Sequence, residues 1–300
     1  MVILLGLAAA VLYGTGDFLG GLASRGAQVL AVLTVAETAG VMVALPAAAA
    51  SPGPARLPGL AWGIGAGLVG GLGLIIFYTG LAAGPMSVVA PVSGLVSTVL
   101  PVGVALAEGE RLGAGVYAGA LLCLAAIVLA SSAGDSTPAD GTSAAPRPGL
   151  PRPGLPRAGL PRASRAVGYG VASGASFGLF FLLIRNAGQS GELWPVAAGR
   201  AGELAVVLIA AAVLRRSLLP RGTDGRLLLA AATAGGIDVV ANICYVAATR
   251  TGMFGLAVVL ASLYPGVTVL LARVVLGERL LWVQRAGLGL AALGILLVAA

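Results

Sequence analysis

Ten mostly apolar stretches follow one another along this chain, near 2–23, 29–50, 58–82, 85–106, 113–132, 166–185, 194–214, 226–248, 253–275 and 281–299. Each is close to the roughly 20 residues an α-helix needs to cross the hydrocarbon core of a bilayer. Inside that core the backbone finds no water, so helices satisfy it and open strands do not. Composition closes off the soluble alternative, because 58% of the 300 residues are hydrophobic and 10% are charged. That is too little polar material to cover a water-facing surface. The expected fold is an all-α integral membrane protein with ten transmembrane helices.

The ten stretches divide into two related sets. Gly-Glu-Arg-Leu occurs at Gly109–Leu112 and again at Gly277–Leu280, each time between two apolar runs. After each copy six residues lead to a glycine, Gly119 or Gly287, that opens the last run of its set. Tyr78 and Met86 stand before the first copy as Tyr245 and Met253 stand before the second, one residue out of step. Between the sets lies a low-complexity segment at 133–165, in which Pro-Gly-Leu-Pro or Ala-Gly-Leu-Pro follows Arg147, Arg152 and Arg157. Proline at this density disfavours helix and sheet alike, so a disordered tether is expected. The domain expectation is a first five-helix repeat at 1–132, the tether at 133–165, and a second five-helix repeat at 166–300. Five being odd, the second repeat enters the membrane from the opposite side, and the repeats are inverted. Such internal repeats characterise secondary transporters, whose binding site forms where the repeats meet.

Charge and cysteine usage narrow the function classes. The formal charge is +7, and every basic residue is arginine. The arginines sit in the gaps between apolar runs, where orientation in the membrane and lipid headgroups account for them, and no nucleic-acid partner is expected. Cys123 and Cys244 fall inside apolar stretches and read as small buried hydrophobes. The chain has no histidine, the usual metal ligand, and no cofactor or metal is expected. A phosphate-binding loop is also missing, so ATP is not the expected driver. The first apolar run lacks a basic preface and continues past Asp17 towards Arg25, which reads as a retained helix. Arginine counting places 133–165 in the cytoplasm and both termini outside.

The polar residues inside the spans are the candidate site. A charge near the bilayer centre costs about 2.5–3.5 kcal/mol, so each needs a partner or a water-filled cavity. Asp17, Glu37, Arg200, Glu203, Asp238 and Arg273 all fall within expected helices. Arg200 and Glu203, three apart, share a face and either pair with each other or serve a ligand. Asp238, Asn242 and Tyr245 form one stripe, which either lines a cavity or bonds neighbouring helices. Tyr13 and Asp17 form a similar pair in the first span, and Phe177 and Phe181 occupy comparable places in the sixth. Glu110 and Glu278, each followed by arginine at a helix boundary, read as turn residues rather than a catalytic pair. Gly59, Gly63, Gly67 and Gly71 recur every four residues and predict close approach of another helix. Pro91, Pro101, Pro195 and Pro265 lie within or entering helices and predict bends.

These motifs together resemble the EamA-type carriers of the drug/metabolite transporter superfamily. The resemblance rests on the doubled turn (Gly109, Glu110, Arg111; Gly277, Glu278, Arg279) and on Tyr264-Pro265 thirteen residues before Glu278. The opening Tyr13-Gly14, Asp17-Phe18, Gly20-Gly21 and Ser24-Arg25 adds to it. Ser97 departs from the pattern, standing where the first half would repeat Pro265. The resemblance covers the chain outside the tether. It implies a ten-helix, two-repeat carrier of small organic molecules in the plasma membrane, usually an exporter. It also implies cytoplasmic termini, against the arginine count.

The functional expectation is a secondary transporter moving a small organic metabolite or drug by alternating access, with protons a candidate coupling ion. Tyr13, Asp17, Glu37, Arg200, Glu203, Asp238, Asn242, Tyr245 and Tyr264 are the expected substrate or coupling residues. Its expected partners are the substrate and the lipid bilayer, as a monomer or a homodimer. Two alternatives stand beside it: a non-transporting sensor or assembly subunit, and a membrane-embedded lipid-modifying enzyme. The enzyme is disfavoured, because no acids, histidines and metal ligands cluster near one interface.

Overall fold

The computed structural model describes residues 1–51, 53–84, 86–109, 162–187, 193–218, 224–251 and 254–276, with isolated positions between 114 and 129 and between 282 and 293. The fifth and tenth expected spans, most of the expected tether, and Glu110, Arg111, Gly277, Glu278 and Arg279 lie largely or wholly outside these residues.

Within them the chain forms α1 (Val2–Gly26), α2 (Val29–Ala50), α3 (Leu57–Ala83), α4 (Met86–Ala107), α5 (Arg162–Ala187), α6 (Trp194–Val213), α7 (Gly225–Thr249), α8 (Phe254–Ala261) and α9 (Tyr264–Leu276). Eight spans are long and apolar enough to cross a membrane, α8 and α9 together making the eighth. Helix α5 begins four residues before the sequence predicts, once the proline repeats end.

Helices of the first half pack chiefly on helices of the second. Gly26 meets Leu227, Gly16 approaches the Ala234 carbonyl, and Tyr13 bonds Asn242, so α1 and α7 are antiparallel. In the same way Gly73 meets Phe177, Gly80 meets Tyr169 and Gly84 meets Ala166, so α3 and α5 are antiparallel. The chain exchanges partners: the first helix of each half lies against the third helix of the other. Helices α2 and α7 run side by side where Ala36 and Gly40 meet Gly235, as α3 and α6 do along the glycine ridge.

That ridge explains itself in detail. A methyl on Gly63 would overlap the Pro195 carbonyl, one on Gly67 the Gly199 carbonyl, and one on Gly71 would come within 3.0 Å of the Glu203 backbone. Without Cβ atoms the two backbones approach directly, the contact that drives association where lipid removes the hydrophobic drive. The predicted partner of the ridge is thus internal, helix α6.

The glycines of the opening motif serve the same end. Gly14 leaves room for the Tyr264 carbonyl, Gly20 for the ring of Tyr78, and Gly21 for Leu81 and Met86. Gly109 follows α4 with φ of 84°, the left-handed conformation that glycine adopts most readily at a helix end.

The ninth expected span is a broken helix. It stops at Ala261 and restarts at Tyr264. Pro265 has no N–H to give Ala261, and its ring crowds that turn. The chain closes the gap with tighter bonds, Leu263 N–H to Leu260 O (3.2 Å) and Gly266 N–H to Leu263 O (2.9 Å). Pro91 and Pro101, by contrast, sit within an unbroken α4.

Candidate functional site

Three helices converge on one guanidinium. Arg200 of α6 is 2% exposed. Its Nη1 donates to Glu37 Oε2 of α2 at 3.1 Å and lies 2.9 Å from Glu203 Oε2, one turn further along α6. Nη2 donates to Asp238 Oδ2 of α7. Glu203 Oε2 lies off the N–H directions, so that contact is ionic and not a hydrogen bond. The local pair expected from the sequence is present, joined by carboxylates from two other helices. Gly40 makes the space, since a Cβ there would press within 3.1 Å of Arg200 Cδ.

From Asp238 the network continues across the bundle. Asn242 Nδ2 donates to the Asp238 backbone oxygen (3.0 Å) and to Oδ2 (3.1 Å), and Asn242 Oδ1 accepts from the Tyr13 hydroxyl at 2.7 Å. The stripe on α7 therefore bonds neighbouring helices and lines a cavity as well.

That cavity encloses about 430 Å³ of empty space, part of it open at the mouth. Its polar lining is Tyr13, Asp17, Glu203, Asp238 and Asn242, and its apolar lining is Leu74, Phe177, Phe180 and Phe181, with Gly70 and Tyr264. Gly70 makes room for both kinds of side chain, a Cβ there falling 2.9 Å from the Phe180 ring and 2.8 Å from Glu203 Oε1. Arg200 does not line this cavity. It lines a smaller space of about 170 Å³ behind, with Ile184 and Val196.

Asp17 is 8% exposed and makes no hydrogen bond or ion pair with any described residue. Glu37 belongs to the ion cluster and not to the cavity wall. Tyr245 stands one layer back, its ring 4.8 Å from that of Phe181 and its hydroxyl 3.4 Å from the Phe181 carbonyl. Arg273, expected inside the span, is exposed in the last turn of α9. Phe180 and Leu74 are lining residues that the sequence reading did not single out. The spacing of Phe177, Phe180 and Phe181 puts all three on one face and was the available signal for Phe180.

A second charged contact closes the end of the bundle where α4 and α5 finish and α8 begins. Arg185 Nη2 lies 2.7 Å from Glu108 Oε2, and the guanidinium stacks 4.0 Å over the Phe254 ring. The Arg185 hydrogen bond holds the Glu108 carboxyl below the usual carboxylate range. Among the described residues, no three His, Cys, Asp or Glu side chains are grouped to hold a metal ion.

A family model decides the kinship of the second half, matching residues 164–300 as an EamA-like transporter. The second half of the chain is thus similar to an EamA-like transporter. A solved crystal structure with 20% identity superimposes with a TM-score of 0.66, over 99% of this chain and 95% of that one. At that identity the match speaks for the fold, which the whole chain shares. Fifteen solved chains match at this significance or better, and no curated protein does. The match to an EamA-like transporter and the eight described spans long and apolar enough to cross a membrane agree with a multi-pass membrane protein. Helices α5 to α9, which carry Arg200, Glu203, Asp238, Asn242 and Tyr264, form the described part of that EamA-like half.

Proposed function

We propose that this protein is a secondary transporter that exports a small organic metabolite or drug by alternating access, with protons exchanging at Asp17. One observation carries the reading: a cavity bounded by helices of both halves, well inside the spans, with a buried carboxylate that has no partner among the described residues. A structural carboxylate would be paired, as Glu37 is. An unpaired one in the membrane marks a place where a ligand or proton binds.

The exchanged packing supports an inverted pair of five-helix repeats joined by the proline-rich tether. Each half supplies its first helix to the other's third, so rocking one half moves one wall of the cavity against the other. The break between α8 and α9 falls beside the cavity at Tyr264, a point where two helix segments change angle without unwinding more of the chain. Arg185, Glu108 and Phe254 tie α4, α5 and α8 together at one end, a contact that would have to open or persist as the halves rock. The cavity is complete within one chain, so a monomer suffices for transport.

Proteoliposomes loaded with a pH-sensitive dye test the reading with labelled aromatic amines and amino acids as a panel. At least one compound should move faster than through empty vesicles and change the internal pH as it moves. Asp17→Asn should keep the protein inserted and remove the pH change. Flux with no proton movement would remove the coupling role. An absence of flux for the whole panel would favour a sensor.

A further inference from the structure

We infer that the cavity selects organic cations with an aromatic or flat apolar body over anions and zwitterions. Its use in transport rests on the carrier reading above, while the binding it requires does not.

The first argument is where the charges stand. Asp17, Glu203 and Asp238 face the cavity, whereas Arg200 sits behind them and opens only on the smaller space. Three carboxylates, Glu37, Glu203 and Asp238, surround one guanidinium, and Asp17 stands apart from it. A ligand entering the cavity meets the negative side of this cluster. An anion would approach three carboxylates, with no cation among the described residues that line the cavity. A zwitterion's carboxylate would need Arg200, whose terminal nitrogens already engage Glu37, Glu203 and Asp238.

The second argument is independent of the cluster. Asp17 lies on α1, is more than nine-tenths buried, lines the cavity, and has no hydrogen-bond or ionic partner among the described residues. A carboxylate in that position gains most from a cation that brings the missing charge with it. A neutral ligand could offer it a hydrogen bond but no counter-charge.

The aromatic lining suits the same ligand. Phe177, Phe180 and Phe181 line the cavity together with the acids, and aromatic rings attract cations, most strongly where water is excluded.

Equilibrium binding to the purified full-length protein tests this with four matched probes: benzyltrimethylammonium, benzyl alcohol, phenylacetate and phenylalanine. The fixed-charge cation should bind saturably and at least about tenfold more tightly than each of the others. Asp17→Asn should weaken the cation by about tenfold and leave benzyl alcohol unchanged. The wild-type ranking needs no variant, so a poorly folded Asp17→Asn leaves the test intact. Phenylalanine or phenylacetate binding as tightly as the cation, or no saturable cation binding, would overturn the inference. Flux of the same probes into liposomes separates the two readings. Cation binding without flux would sink the carrier and keep the cation site. Phenylalanine flux without cation binding would do the reverse.

Discussion

The Tyr13 hydroxyl donates a 2.7 Å hydrogen bond to Oδ1 of Asn242, joining the first helix to one that begins more than two hundred residues later. The bond has a tertiary purpose, because Asn242 also holds Asp238, which in turn binds Arg200. Tyr13→Phe should therefore cost more than a surface change, by about 0.6–1.7 kcal/mol on the scale measured for hydrogen bonds between membrane helices. A double-mutant cycle with Asn242→Ala, read by unfolding in micelles, checks this. Strict additivity of the two changes would show that the bond contributes nothing.

Backbone contact at the glycine ridge makes a sharp comparison within one helix. Gly67 touches the Gly199 carbonyl, whereas a Cβ on Gly65 would meet nothing within 4 Å. Gly67→Ala should destabilise by about 1–3 kcal/mol, since a carbonyl cannot swing aside as a side chain can. Gly65→Ala should be neutral or slightly stabilising, as alanine favours helix. Equal thermal midpoints for the two variants would contradict the packing described for α3 and α6.

Removing Arg200 should be worse than removing any one of its acids. Arg200→Met leaves Glu37, Glu203 and Asp238 buried together without a counter-charge, a loss of about 3–5 kcal/mol by analogy with broken buried pairs. Glu203→Gln keeps the shape and lowers the negative excess, so it should cost much less. Yield of folded, monodisperse protein ranks the two. A stable Arg200→Met with an unstable Glu203→Gln would mean that the cluster is held together in some other way.

The contact at Glu108 carries a pH signature. Arg185 depresses the folded-state pKa of Glu108 below its unfolded value, so the pair stabilises the fold above the unfolded carboxylate range. That contribution fades as pH falls below about 4.3 and through the lower folded value. Glu108 is half exposed, so the effect is small and weakens with salt. Wild-type protein should lose slightly more thermal stability than Glu108→Gln between neutral and acid pH, at low ionic strength. Parallel curves for the two proteins would show the contact to be idle.

Much of this arrangement was legible in the sequence because it is local or periodic. The spans followed from apolar length, the ridge from glycines four apart, and the faces of α1 and α7 from Tyr13 with Asp17 and Asp238 with Asn242. The pairing of Arg200 with Glu203 was legible for the same reason. What spacing cannot reveal is which other helix arrives beside it. Glu37 and Asp238 reach Arg200 through tertiary packing, and both looked unpaired when read along their own helices. Pro265 announced a bend, but not that the helix would stop at Ala261, since that depends on Gly94 and Gly14 accepting the displaced turn. Arg273 illustrates the opposite error: it falls inside an apolar run, yet its helix turns it outward.

The exchange of partners between the two halves sets a timetable for biogenesis. Helix α1 carries Asp17 and Tyr13 into the bilayer long before α7, its principal neighbour, has been synthesised. At about 5–20 residues per second, the interval of some two hundred residues lasts on the order of 10–40 seconds. Throughout that wait an apolar helix with one carboxylate in its middle stands among lipids with its own partner unborn. Its glycine face and buried carboxylate would be open to capture by the insertion machinery or a membrane chaperone until the second half arrives.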